Sequence, residues 1–509
     1  MPAPNPVREA LTTGQFCFMV ELVASQLTRE AKLFHAASQL AQVPGLVAGS
    51  VTSYAGGSLG HDPIRVGTAA RARGLTPNIH LTCVGRDRLD ILNALEDLNA
   101  LGIQNVFAIT GDFPKGTKET ADTLYDLDSV QLVETIAEMR AKKGYPFYIS
   151  AAVSPFKYTE PDCAWQYLKL EKKIAAGADY AITQLGYDSR KMRELRRYMD
   201  ERGLRTPVFG NVYVLPLGAA KKFNKGEPPG CFASNELVEQ IQAEVKASTD
   251  KGMAARLERA ARMVAIQRGL GFAGSYIGGD HQADRVRWII KRSEALAPKW
   301  EELAEELEWA PKGGFYFFET SQSTSKKEPQ KQTFWNRVAD IIEPANTPRP
   351  LRSFLTSVLG WIDKMPAAAQ ALEQAELAFK KPVFGCQACG NCVLGLTEYV
   401  CPMTCPKNLR NGPCGGTFNG QCEVIPEQKC VWVEVYKRAQ AADRVDELKT
   451  YIPQRDRSLQ GTSSYINYFL DRDSRPEHPQ PLVQINVPTP PRLSAKAEAY
   501  TEEQLAKSK

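Results

Sequence analysis

The chain has 509 residues, of which 43% are apolar and 24% charged, and a formal net charge of +5. That balance describes an ordinary globular chain with room for two or three domains, and without a dense Lys/Arg block it argues against nucleic acid as a partner. No run approaches the roughly 18 uninterrupted apolar residues of a membrane span, and the start, MPAPNPVREALTTGQF, lacks the apolar core of an export signal, so a cytoplasmic setting is expected.

From Gln15 to Gly279 short β-branched runs alternate with longer amphipathic stretches. Candidate strands fall at 16–22, 46–52, 78–83, 105–110, 147–153, 179–185, 207–214 and 272–279. They are mostly continuous apolar runs, which suits parallel strands covered on both faces. Helical stretches lie between them, for example at 86–102 and 170–180, and LEDLNALG ends on the glycine that stops a helix. Eight such alternations predict an α/β fold, a (β/α)8 TIM barrel. A doubly wound sheet is the alternative, but no GxGxxG turn follows the first strand.

The crossover after the seventh strand is long, with a Gly/Pro-rich loop at 217–234 and a helix at 255–271. From Asp280 to Ala378 the pattern is mainly helical, with helical periodicity at 299–310 and 367–379. The stretch 431–451 also reads as helix. The Pro- and charge-rich end is expected to be extended. The chain thus divides into a barrel (1–295), a helical connector (296–380), a Cys-rich module (381–475) and an extended tail (476–509).

Eight of the twelve cysteines fall in that module: Cys386, Cys389, Cys392, Cys401, Cys405, Cys414, Cys422 and Cys430. Thiols at such spacing form a ligand set for zinc or an iron–sulfur centre, or a disulfide framework. Without an export signal the metal reading is favoured. The Cys-x2-Cys-x2-Cys run and the Cys-Pro pairs share features with bacterial ferredoxins. One [4Fe-4S] cluster plus a zinc, two clusters or two zincs are all compatible, and so is a metal that only staples a core-poor segment.

Barrel enzymes carry their chemistry at the C-terminal ends of the strands. Those positions hold Glu21, Thr52, His80, Thr82, Asp112, Ser154, Gln184 and Tyr213. Glu21 follows FCFMV, where an acid at the top of an apolar strand needs a reason. His80 reads equally as a satisfied core histidine, Asp112 as a turn residue and Gln184 as a core amide. Lys172 and Lys173 read as solvated helix charges.

These residues resemble the methylenetetrahydrofolate reductase family, a group of flavin-dependent barrel enzymes. The matching pieces are Glu21, SVT (50–52), HLTC (80–83), GDFPKG (111–116) and KKIAAGADYAITQ (172–184). The resemblance covers about 15–290. GCQACGNC, NGPCGGTFNGQCE and KCVWVEVY, continuing through 455–473, resemble the C-terminal extension or partner subunit that accompanies some of these reductases.

The resemblance implies interconversion of 5,10-methylenetetrahydrofolate and 5-methyltetrahydrofolate, with hydride carried by a flavin. It assigns the general-acid role to Glu21 and places Asp112 beside flavin and pterin. Gln184 and Tyr213 fall on the substrate side. Thr52, His80, Thr82 and Ser154 fall around the flavin, and Lys173 on its phosphate side. LVAS (22–25), Thr110, Ser154 and Phe156 depart from the family pattern at flavin-contacting positions, so FAD and FMN both stay open. The expected partners are a tetrahydrofolate, NAD(P)H or a redox protein as electron donor, and further copies of the chain in a homo-oligomer. The alternative is a flavin-poor, folate-binding or scaffold barrel with a structural zinc module.

Overall fold

Eight apolar runs become eight parallel strands that close on themselves in chain order: β1 (Cys17–Leu22), β2 (Leu46–Val51), β3 (Pro77–Thr82), β4 (Asn105–Ile109), β5 (Tyr148–Val153), β6 (Tyr180–Thr183), β7 (Val208–Tyr213) and β8 (Gly274–Gly278). β8 returns to pair with β1, with Met19 opposite Tyr276. The computed structural model describes residues 4–25, 29–53, 60–114, 125–319 and 334–473. Every expected strand is present within a residue or two of its expected ends.

The helices are α1 (Pro6–Thr13), α2 (Glu30–Leu40), α3 (Pro63–Arg71), α4 (Arg88–Ala100), α5 (Ser129–Lys143), α6 (Glu160–Ala175), α7 (Ser189–Glu201), α8 (Leu217–Asn224), α9 (Asn235–Ala247), α10 (Met253–Gly269), α11 (Ala283–Leu296) and α12 (Trp300–Glu306). After them come α13 (Phe334–Ile342), α14 (Arg349–Asp363), α15 (Pro366–Phe384), α16 (Val431–Ala441) and α17 (Ser464–Phe469).

The helix expected at 299–310 ends at Glu306, and three further expectations change. The stretch 170–180 is not one helix: α6 ends at Ala175 and the chain turns directly into β6. Part of the loop at 217–234 is helical, because Ala220 and Phe223 form a buried stripe on α8 before the Gly/Pro residues begin. The helix expected at 431–451 stops at Ala441, and a short 3-10 turn follows at Val445–Lys449. The Pro- and charge-rich tail lies outside the described residues.

α6 explains how the Cys-rich segment sits. A helix on the outside of a barrel normally shows one face to water. Here every residue from Asp162 to Leu170 is buried. One face packs on the sheet, and the other forms a second core with α16, in which Ala164, Trp165 and Leu168 meet Trp432, Val435 and Tyr436. The Trp165 and Trp432 rings meet edge to face with centroids 5.1 Å apart, and the Trp165 indole N–H donates to the Trp432 carbonyl.

Asp128 fixes the same seam. Its Oδ1 caps α5, accepting from the N–H groups of Val130 (2.8 Å) and Gln131 (3.2 Å). Its Oδ2 accepts from the Arg410 N–H (3.1 Å), the Asn411 N–H (2.9 Å) and the Asn411 side-chain amide (3.0 Å). One buried carboxylate therefore both starts a barrel helix and holds the Cys-rich segment. Asp128→Ala is expected to destabilise the full chain by roughly 3–5 kcal/mol, because it strands several buried donors at once. Urea unfolding measures this; a loss no larger than the roughly 1 kcal/mol of an ordinary helix cap would contradict the shared role.

Candidate active site at the barrel mouth

Alternation along each strand sends one parity of side chains into the barrel. The lower interior is apolar and aromatic, built from Met19, Ala48, Phe107, Tyr180, Phe209 and Tyr276 among others. The same parity carries upward to the positions singled out in the sequence: Glu21 on β1, Thr52 after β2, His80 and Thr82 on β3, Ser154 after β5, Gln184 after β6 and Tyr213 on β7.

Glu21 is half-buried at the top of β1. Desolvation pushes its pKa up to about 7, and a hydrogen bond from the Gly279 N–H only partly opposes this. Gly278 lies across from it, where a Cβ would stand 2.9 Å from Glu21 Oε2; only glycine leaves the carboxyl its room. The Tyr213 ring lines the same space, against Gly278 and Gly279. Burial, together with the Glu21 charge, raises the Tyr213 hydroxyl to about 12.

His80 lies deeper and is buried. Its Nε2 is 2.9 Å from the Ser50 hydroxyl, which accepts from the Asn78 side chain (3.0 Å), and its ring meets Phe107 edge-on at 4.8 Å. Burial lowers its pKa to about 3, so it is a neutral hydrogen-bonding group with no charge to offer an anion. Thr52 is committed to the backbone, its Oγ1 accepting from the Ala24 N–H (3.1 Å). The Gln184 side-chain oxygen accepts from the Leu185 N–H (2.8 Å).

Thr82 Oγ1 and Ser154 Oγ are buried and have no hydrogen-bond partner among the described residues, and the same holds for Asn211 Oδ1 on β7. Buried polar atoms are rarely left so. Three of them on the inward-facing parity suit a polar, hydrogen-bonding cofactor laid against the inside of the barrel. Asn211 carried no local signal in the sequence beyond its place on a strand.

Asp112 follows β4 and is half-buried. Its charge and that of Glu21 both bear on the buried Cys231, which burial raises to about 12. Glu21, Asp112 and Cys231 therefore belong to one neighbourhood. Lys173 does not join it: the residue sits in the layer between α6 and the sheet, donates to the Ala152 carbonyl (2.6 Å), and is lowered to about 7 by burial.

The Cys-rich segment roofs this rim. Lys157 and Lys169 are almost fully buried. Lys157 donates to the carbonyls of Gly415 (2.7 Å) and Thr417; Lys169 donates to those of Gly412 (3.3 Å) and Pro413 (2.9 Å). Phe418 stacks on Phe232 at 5.7 Å. From the segment, Lys407 donates to the Gly111 carbonyl (3.0 Å). Sequence reasoning singled out none of Lys157, Lys169, Phe232 and Lys407, since each meets its partner well over a hundred positions away.

All twelve cysteines are free thiols, which leaves no disulfide framework. Cys386, Cys389, Cys392 and Cys401 line one cavity of about 30 Å³. Cys405, Cys414, Cys422 and Cys430 line another of about 20 Å³. Backbone N–H groups point at four of these sulfurs: Ala388 at Cys386, Met403 at Cys401, Lys407 and Leu409 at Cys405, and Trp432 and Val433 at Cys430. Burial raises all four thiols above their ordinary range, and these donors oppose it only in part. Among the described residues, no group of three or more His, Cys, Asp or Glu side chains stands at metal-holding distances. The thiols are soft donors gathered into two sets, but their sulfurs do not converge on a point.

Residues 7–266, about half of the chain, match the family described as "Methylenetetrahydrofolate reductase". The chain belongs to the methylenetetrahydrofolate reductase family. Residues 365–458 match a second family, "Methylene-tetrahydrofolate reductase C terminal". The chain is 29% identical over 140 residues to a probable methylenetetrahydrofolate reductase (NADPH) of Caenorhabditis elegans, covering 27% of this chain and 20% of that one. It is 24% identical over 249 residues to methylenetetrahydrofolate reductase 2 of Schizosaccharomyces pombe, covering 45% and 37%. It is 30% identical over 152 residues to 5,10-methylenetetrahydrofolate reductase of Salmonella typhimurium, covering 30% and 48%. The chain thus spans between a fifth and a half of the length of these curated relatives.

Proposed function

We propose that the barrel interconverts 5,10-methylenetetrahydrofolate and 5-methyltetrahydrofolate with a flavin as hydride carrier. The observation that carries the reading is Glu21, a carboxyl in the barrel mouth whose pKa stands at about 7. Opening the imidazolidine ring of the methylene substrate to an iminium needs a proton on a ring nitrogen. A carboxyl that keeps its proton near neutral pH can deliver it, and an ordinary glutamate cannot.

A bound flavin supplies the hydride at its N5. The chain's own residues bind, orient and protonate. Thr82, Ser154 and Asn211 offer hydrogen bonds to the cofactor from the barrel wall. Neutral His80, held by Ser50, and Thr52, held by Ala24, shape the wall behind it. Asp112 takes the donor edge of the pterin, and Gln184 and Tyr213 border the substrate. Glu21 holds the proton and, in the reverse direction, takes it back. NAD(P)H and a redox protein are the two candidate electron sources.

Each four-thiol set would hold one soft centre, an iron–sulfur cluster or a zinc. Iron–sulfur centres would supply one-electron transfer and zinc would supply rigidity. Either would stabilise the segment over the mouth, which has only a small apolar core of its own around Phe384, Leu394 and Tyr399. A folate-binding barrel without flavin is the second reading. It is favoured by Lys157 and Lys169, whose ammonium groups are committed to backbone carbonyls of the Cys-rich segment, and by Lys173, which is turned away from the mouth onto the Ala152 carbonyl.

Turnover of the full chain with 5-methyltetrahydrofolate and an artificial electron acceptor tests the acid. Glu21→Gln is expected to keep its flavin band and lose roughly 100- to 10,000-fold in rate. In the methylene-reducing direction the wild-type rate should fall as pH rises through about 7, where Glu21 gives up its proton. Wild-type turnover in Glu21→Gln would remove it from this role. Metal analysis of protein purified under nitrogen tests the thiol sets. Cys389→Ser and Cys414→Ser should each lose about half of the bound metal. Unchanged metal in both variants contradicts two separate centres.

A further inference from the structure

Lys407 comes from the Cys-rich segment and ends inside the barrel's own rim. It is 2% exposed. Its ammonium donates to the Gly111 carbonyl at 3.0 Å and pairs with Glu423, whose side chain is 4% exposed. Glu423 in turn accepts from the Cys414 thiol at 3.2 Å. The ammonium also lies 5.7 Å from the centre of the Tyr125 ring, and the Tyr125 hydroxyl donates to the same Gly111 carbonyl at 3.4 Å.

A buried ion pair is weak support for stability, since apolar residues of similar volume often serve as well or better. A lysine carried from the far end of the chain to a barrel carbonyl therefore calls for a role other than packing. The carbonyl it reaches is informative. Gly111 has φ +89, a left-handed conformation in which glycine moves freely. Its carbonyl oxygen shares a rigid peptide plane with the nitrogen and Cα of Asp112. Two donors on that oxygen fix the plane, and with it the direction in which Asp112 leaves the backbone.

We propose that Lys407 is a positioning residue for Asp112, so that the Cys-rich segment completes the folate site of the barrel by orienting the Gly111–Asp112 peptide. The assignment rests on the reading of Asp112 as a pterin-binding residue. It links the seat of Cys414 to the substrate site through Glu423, Lys407 and Gly111, with each link a direct contact. The reductase site is then incomplete in a barrel lacking the segment.

The test is the affinity of the full chain, as purified, for 5-methyltetrahydrofolate, read by protein fluorescence beside a thermal melt. Lys407→Met leaves the buried Glu423 carboxylate unpaired and should melt below wild type; the folded protein should bind roughly tenfold more weakly, the scale expected for a misplaced binding group. Lys407→Arg, which keeps a donor, should recover most of the loss. Asp112→Asn should weaken binding alone, and Lys407→Met added to it should cost little more, because both act through one contact. Tyr125→Phe removes the weaker donor without touching the ion pair. It should weaken binding roughly threefold, and it carries the test if Lys407→Met does not fold. Wild-type affinity in the folded Lys407 or Tyr125 variants, with Asp112→Asn impaired, overturns the positioning role and leaves the function intact. Wild-type affinity in Asp112→Asn overturns the reading of Asp112 itself, and the proposal with it.

Discussion

A carboxyl group at the top of an apolar barrel strand must lose water when the barrel closes, and the chemistry of the site follows from that desolvation. Glu21 stands above Met19 on β1, with the glycine pair 278–279 across from it and a single backbone N–H to hold it. Nothing cationic is among the causes that set its pKa, so burial dominates and the proton stays on to about pH 7. The negative form, once made, presses on its neighbours: it contributes to keeping the hydroxyls of Tyr213 and Tyr276 protonated. His80, the residue type most often used for proton transfer near neutral pH, is held neutral by burial. On the proposed function, proton chemistry at this rim falls to a carboxyl group.

The second constraint is how the rim is covered. Lys157, Lys169 and Lys407 are buried cations whose ammonium groups bond to main-chain carbonyls across the seam between barrel and Cys-rich segment. A charged donor to a carbonyl is among the stronger hydrogen bonds, and leaving a buried ammonium without it is costly. The carbonyls of residues 412, 413, 415 and 417 flank Cys414 on both sides. The lysines that seat the loop on the barrel thus also fix where the second thiol set stands. With Asp128 and the shared tryptophan core, barrel and segment form one packed body.

The barrel was legible because its signals are local. Continuous β-branched runs mark strands buried on both faces, and their spacing leaves room for one helix each. Strand parity then places Glu21, His80, Thr82 and Tyr213 inside without further information. Where expectation and structure part, a local signal misled: glycines at 226 and 230 drew a loop over α8, and the polar Lys172 and Lys173 looked solvated on a helix that is buried on two sides. Lys157, Lys169 and Lys407 carried no local signal of the seam, because the carbonyls they reach lie 243 to 296 residues away, and the local pattern around Asp128 marks only its helix cap. The division of the thiols was equally hidden. Cys401 and Cys405 are neighbours in sequence, yet Cys401 faces the first cavity and Cys405 the second.

The central claim is that loss of water at the barrel mouth carries the Glu21 proton up to neutral pH. Infrared difference spectra of wild type against Glu21→Gln, followed over pH, read the carboxyl directly through its protonated C=O stretch. The account predicts that this band persists at mildly acidic pH and disappears with a midpoint near 7. A midpoint near 4.5, the value of a solvated glutamate, would contradict it.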